Sequence, residues 1–111
     1  MIAVAPILDM LLDNDTYLQV GNNVTINATI VDERIDTVFI RFWNALGTLW
    51  QGFMEKIEYV LFTNTTLTDA SWIGEVNYTI NATDDKGQSS YYTGTFYVDD
   101  IIFKNITIYD M

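Results

Sequence analysis

Strict alternation of apolar and polar residues is the feature that most constrains what this chain folds into. Between residues 22 and 31, and again at 76–83, every second side chain is apolar and Asn or Thr stands between. A shorter stretch at 105–108 repeats the pattern. Successive side chains of a β-strand point to opposite faces, so a period of two predicts strands with one buried and one solvated face.

Two further segments predict strands of other kinds. Residues 37–43 are β-branched or aromatic on both faces, which is typical of an inner strand covered on both sides. Residues 89–98 place Tyr92, Gly94, Phe96 and Val98 on the inward face.

Turns and the remaining stretches complete the predicted fold. Residues 84–87, Asp-Asp-Lys-Gly, predict a tight turn that joins 76–83 to 89–98 as a hairpin. Residues 6–12 and 53–62 have spacings compatible with a short helix or a strand, and we favour strands.

An all-β fold follows, an antiparallel two-sheet sandwich of seven or eight strands. With 111 residues the chain has the length of one domain, so 1–111 is predicted to be a single unit. Ten residues are predicted to meet between the sheets. They are Val24, Ile26, Ile30, Val38, Ile40, Phe42, Tyr78, Ile80, Phe96 and Val98.

Composition excludes several functions. The chain has no Cys and no His, so it cannot form a Ser-His-Asp or Cys-His nucleophile, or a His or thiolate metal site. Fifteen acidic residues against five basic ones give a formal charge of −10, which repels phosphate backbones. We therefore predict no enzyme activity and no nucleic-acid partner. No run approaches the ~20 apolar residues of a membrane span, so we expect a soluble chain.

Parts of the sequence resemble a known family of modules. An extended entry at Pro6, the strands at 18–32 and 38–42, and the segment 78–87 resemble the immunoglobulin-like modules of prokaryotic cell-surface proteins. The patterns that carry the resemblance are INATIVD, at 26–32, and ATDDKG, which ends the later strand. The likeness spans most of the chain and implies an immunoglobulin-like or fibronectin type III-like sandwich. The sequence departs from the family in having no Cys pair and an extra predicted strand in 101–111.

The resemblance also implies a role. Such modules space, display or dock other domains, so it implies a non-catalytic structural or interaction module of an extracellular assembly, docking through a sheet face or edge. An archaeal surface-layer protein or a neighbouring surface protein is the implied partner, as for the external domain of archaellum stator proteins. A homodimer is a further expectation, and membrane attachment would need an anchor in a parent protein, absent here. Trp43 and Trp72 are expected to fill the core, as an inner-strand Trp does in this fold.

Asn-x-Thr sequons are unexpectedly dense. Seven of the nine Asn residues are followed two positions later by Thr. Strand alternation favours Thr on a solvated face but does not explain Asn, which is depleted in strands. We interpret these residues as candidate N-glycan acceptors of an external protein. The candidates are Asn14, Asn23, Asn27, Asn64, Asn77, Asn81 and Asn105.

Acidic pairs at strand ends are candidates for a metal site. Asp84, Asp85, Asp99 and Asp100 at strand ends are weak candidates for Ca²⁺, although turn formation and surface charge explain them better and no cofactor is predicted.

The alternative function is a carbohydrate-binding module, in which exposed aromatic side chains stack on sugar rings or form a protein interface. Its candidate residues are Trp50 and Phe53, predicted in a loop with Gly47 and Gly52, and Tyr91 and Tyr97, on the outward face of their strand.

Overall fold

Nine β-strands and one 3₁₀ turn make up the computed structural model, which describes residues 7–12, 17–32 and 34–100. The strands are β1 (Ile7–Leu12), β2 (Tyr17–Gln19), β3 (Asn23–Val31), β4 (Ile35–Asn44), β5 (Gly47–Phe53), β6 (Glu55–Lys56), β7 (Leu61–Leu67), β8 (Gly74–Asp84) and β9 (Ser89–Asp99). The 3₁₀ turn, Ala70–Trp72, lies between β7 and β8. Within these residues no helix is long and apolar enough to cross a membrane.

The strands form two sheets. One has the order β1-β3-β7-β6 and the other the order β2-β9-β8-β4-β5. All neighbours are antiparallel except β2 and β9. The predicted all-β, two-sheet architecture is confirmed, and the short β2 and β6 bring the number of described strands to nine.

Most predicted strands are present. The alternating segments are β3 and β8, the doubly apolar segment is β4, and β8 and β9 form the predicted hairpin. Both ambiguous stretches contain strands: 7–12 is β1, and 53–62 holds the last residue of β5, all of β6 and the first two residues of β7, with 57–60 outside any strand. The predicted strand at 105–108 and the extra strand in 101–111 lie outside the described residues.

The core lies between the two sheets. All ten predicted core residues are buried, none more than 4% exposed. Phe42 is at its centre, with the rings of Trp72, Tyr78 and Phe96 between 5.1 and 6.3 Å from its own. Three β-strands and the 3₁₀ turn therefore converge on one aromatic side chain.

Trp43 corrects one prediction. Trp72 is buried as expected, but Trp43 lies half-buried on the outer face of the five-stranded sheet. Because Trp43 directly follows Phe42 in a strand, it cannot share the inward face. Phe42 takes the inner-strand position that was predicted for a Trp.

Tyr92 and Gly94 also depart from simple alternation. Both have inward parity, yet Tyr92 is 40% exposed. Its part of β9 is a sheet edge in the described structure, because β2 pairs only with Tyr97–Asp99. Gly94 faces Tyr78 across β8 and β9, and a Cβ at Gly94 would overlap the phenol ring. Here a missing side chain makes room for a large one.

Candidate interaction surface

The β4–β5 hairpin contains a long uncharged segment in an acidic chain. Residues 42–54 contain no charged side chain, although the whole protein carries a formal charge of −10. β5 is the last strand of its sheet, with β4 on one side and no strand on the other among the described residues. A strand edge of seven residues, with unpaired backbone groups, is therefore available on that side.

The other terminal strands of the two sheets differ from β5, although β2 covers β9 only at 97–99 and leaves 89–96 as a second uncharged edge. β6 has only two residues, both charged, and β2 has only three. β1 is six residues long and contains Asp9. Short edges and charged residues are the usual means by which proteins prevent strand-to-strand association. β5 is longer and uncharged, and its one irregularity is a register shift against β4 at Leu49, between the pairs Phe42–Trp50 and Trp43–Thr48.

Aromatic and guanidinium groups line the outer face of the hairpin. Phe53 is 68% exposed and packs edge-to-face against Phe39, with ring centroids 5.4 Å apart. The Arg41 guanidinium lies 5.0 Å from the Trp43 ring centroid, and its Nε donates to Thr48 Oγ1 at 3.1 Å. These contacts hold flat groups in place next to the open edge.

Trp50 lies on the opposite, inward face of β5. It pairs with Phe42, and the two ring centroids are 6.4 Å apart. Its ring covers Gly52, where an added Cβ would come within 2.6 Å of the indole. The side chain remains 38% exposed because β5 is an edge strand. The predicted loop is therefore a strand, and Gly47, with φ of +127°, is its first residue, next to the turn at 45–46.

A shallow pocket of about 450 Å³ lies where the hairpin turn approaches the start of β8. Its lining includes Trp43, Leu46, Ile73, Glu75 and Asn77. Leu46 is 89% exposed and Ile73 is 42% exposed.

Asn44, which also lines the pocket, fixes the turn at its rim. Its Oδ1 accepts from the Leu46 N–H at 2.9 Å, and its Nδ2 donates to the Ser71 carbonyl at 2.8 Å. The turn is thereby tied to the 3₁₀ segment, which shapes the pocket.

The four predicted aromatic residues are not brought together. Tyr91 and Tyr97, 74% and 37% exposed, lie on β9, and β8 and β4 separate that strand from β5. Three strand spacings amount to ~14 Å. Trp50 moreover faces the other side of the sheet from Phe53. No single flat platform for a sugar chain forms from these residues.

The acidic candidates are also dispersed. Asp84 is 3% exposed, and its Oδ1 accepts the backbone N–H groups of Lys86 and Gln88, each at 2.9 Å. It therefore shapes the β8–β9 turn. Asp85 is exposed next to it, whereas the exposed Asp99 and Asp100 stand at the far end of β9. Among the described residues no three acidic side chains form a group that could hold a metal ion.

Four sequons lie on the outer faces of the sheets. Asn23 and Asn27 are on β3 and Asn77 and Asn81 on β8; Asn23 and Asn81 are exposed, and Asn27 and Asn77 half-buried.

The remaining three sequons differ from these. Asn64 pairs with Ile26 and so has inward parity; it is half-buried, and its Oδ1 accepts from Thr66 Oγ1 at 2.6 Å. Asn14 and Asn105 lie outside the described residues.

Comparison with solved structures places this geometry among known folds. The PKD1 domain of Vibrio anguillarum Epp superimposes with a TM-score of 0.55 over 88% of this chain and 98% of that domain, at 19% identity. The fold is an immunoglobulin-like β-sandwich. An engineered protein matches with a TM-score of 0.65 and 11% identity, over 87% of this chain, which spans 20% of that protein. No protein-family model matches the sequence, and no curated protein matches it.

In this immunoglobulin-like sandwich, sequence reasoning missed two features of the candidate surface. The pocket depends on Trp43, Leu46 and Ile73, which come together only through the pairing of β4 with β8 and the packing of the 3₁₀ turn. The neutral edge had a visible signal, the uncharged run at 42–54. Strand order is what makes this run an edge, and no local sequence pattern contains it.

Proposed function

We propose that this domain is a non-catalytic extracellular interaction module, which docks to a neighbouring surface protein by continuing its five-stranded sheet at β5. The observation that carries the proposal is the seven-residue, uncharged and unpaired edge of β5, with Phe53 exposed along it. Addition of a strand at such an edge supplies backbone hydrogen bonds, and neighbouring side chains supply specificity.

The absence of His and Cys from the sequence supports a non-catalytic role. The likeness in fold to a PKD domain is compatible with a module that works through its surfaces.

A second copy of this chain is the partner that β5 favours. Two antiparallel copies of one strand pair about a two-fold axis, so each copy offers the same surface to the other. The uncharged β5 strand then meets itself, so the pairing places no like charges opposite each other along the contact. A surface-layer protein, the partner that the family resemblance implies, would bind at the same edge.

Two isosteric variants test whether β5 is the strand through which two copies associate. Gln51→Glu adds one negative charge on exposed β5, opposite Arg41 of the same sheet. Asn81→Asp adds the same charge on the same face but on inner strand β8. In sedimentation velocity at about 0.15 M salt, where close charge pairs are only partly screened, we expect the unaltered protein to dimerise. Gln51→Glu should dimerise more weakly, by up to about fivefold, since like charges on paired strands cost up to ~1 kcal/mol.

The control Asn81→Asp should dimerise like the unaltered protein. A monomer at every ionic strength would refute self-association, and equal weakening by both variants would show that β5 is not the contact.

A further inference from the structure

Asn77 and Trp43 are direct cross-strand partners on the outer face of the five-stranded sheet. Both line the pocket of about 450 Å³ at the end of that face. The pocket is shallow and open to solvent, so it offers a surface for one side of a ring and does not enclose a ligand. The half-buried indole of Trp43 lines the pocket, with the Arg41 guanidinium 5.0 Å from its ring centroid, and Glu75 adds a hydrogen-bond acceptor.

The amide of Asn77 is oriented by its other neighbour. Thr95 on β9 donates from Oγ1 to Asn77 Oδ1 at 2.9 Å. This hydrogen bond engages Oδ1 and not Nδ2, the atom that would carry a sugar. Thr79, the third residue of the Asn-Tyr-Thr sequon, lies on the same face of β8.

We propose that Asn77 is an N-glycan acceptor whose first pyranose ring packs against Trp43 in this pocket. The donor is a lipid-linked sugar phosphate. Asn77 Nδ2 forms the bond to the anomeric carbon and loses one proton, while the bond from that carbon to the phosphate oxygen breaks and its electron pair leaves with the lipid phosphate. The C–H face of the pyranose ring then packs against the Trp43 indole, because aromatic rings favour apolar contacts.

The surroundings of Asn77 distinguish it from the other three sequons on the outer faces of the sheets. Asn23 pairs with Leu67, and Asn27 pairs with Thr63. Neither has an aromatic cross-strand partner in β7. Asn81 has Phe39 and Tyr91 as partners but is not among the residues that line the pocket. Among these four sequon residues, only Asn77 both pairs with a tryptophan and lines the pocket.

Two measurements on the unaltered sequence test occupancy and packing. The chain is secreted from a host that transfers sugars to Asn-x-Thr, and glycopeptides are mapped by mass spectrometry. We expect a sugar on the peptide that contains Asn77. In the NMR spectrum we expect nuclear Overhauser contacts between ring protons of the first sugar and the Trp43 indole. An unmodified Asn77, whatever the state of the other sequons, or a modified Asn77 without these contacts, would overturn the proposal.

A thermal comparison then tests the contribution of the indole. Enzymatic removal of the glycan should lower the unfolding temperature by roughly 4 °C when Trp43 is present. In Trp43→Thr the glycan should have no such effect, and Trp43→Phe should restore part of it.

Protein glycosylated at Asn23 with Asn77→Gln is the matched control, in which substitution of Trp43 should not change the effect of the glycan. An equal effect of the Asn77 glycan with and without an aromatic residue at 43 would contradict the packing.

Discussion

At the scale of single residues, close packing in this sandwich depends on where side chains are missing. The phenol of Tyr78 lies where a side chain at Gly94 would be, and its ring packs against those of Phe42 and Phe96. We expect Gly94→Ala to destabilise the fold by about 1–3 kcal/mol, because the ring must move against a filled core. Thr93→Ala, on the outer face next to it, should cost only about 0.5 kcal/mol. Urea denaturation compares the two, and equal costs would contradict the packing argument.

Burial of Tyr78 also has a consequence for alkaline stability. Desolvation, with a smaller contribution from charge on Tyr92, raises the pKa of Tyr78 to about 12. In the unfolded chain the phenol ionises near pH 10. Between these values the unfolded chain loses a proton that the folded one keeps, so stability falls as the pH rises from about 10 to about 12.

Tyrosinate absorbance measures this ionisation. The folded protein should show a tyrosine ionisation near pH 12, and Tyr78→Phe should remove that step. Ionisation of all seven tyrosines together near pH 10 in folded protein would contradict the assignment.

At the scale of elements, the β8–β9 hairpin depends on one carboxylate. Asp84 accepts two backbone N–H groups of the turn, and Gly87 adopts a φ of +80°. Asp84→Ala leaves those donors without this acceptor, so we expect a loss of about 1–3 kcal/mol. Asp84→Asn retains an acceptor oxygen and should lose less. Thermal unfolding of both variants measures the difference, and equal losses would show that charge rather than the turn geometry matters.

The same elements show how far the sequence predicts the structure. Alternation predicts β3 and β8, because a half-buried strand must repeat every two residues. It fails at Trp43, since in β4 both faces are apolar and only the second sheet determines which one is inward. The Asn77–Trp43 pair and the edge position of β5 depend on strand order, which no local pattern contains.

At the scale of the whole molecule, charges and sequons are unevenly distributed over the surface. Asn23, Asn27, Asn77 and Asn81 lie on the two outer faces, so glycans there would cover the sheets. The run 42–54 contains no sequon and no charge. At a net charge of −10, copies repel at low ionic strength, and salt shortens the range of that repulsion from ~30 Å at 0.01 M to ~3 Å at 1 M. Association through β5 should therefore strengthen as salt is added.

Amide hydrogen exchange along β5 tests the docking claim most directly. Alternate N–H groups of an edge strand point away from its one partner and exchange quickly when nothing covers them. At high ionic strength and high protein concentration, the account predicts new protection at these amides of Gly47–Phe53, with β6 unchanged. At low ionic strength the protection should disappear. Association that leaves β5 exchange unaltered, or that protects another edge instead, would contradict it.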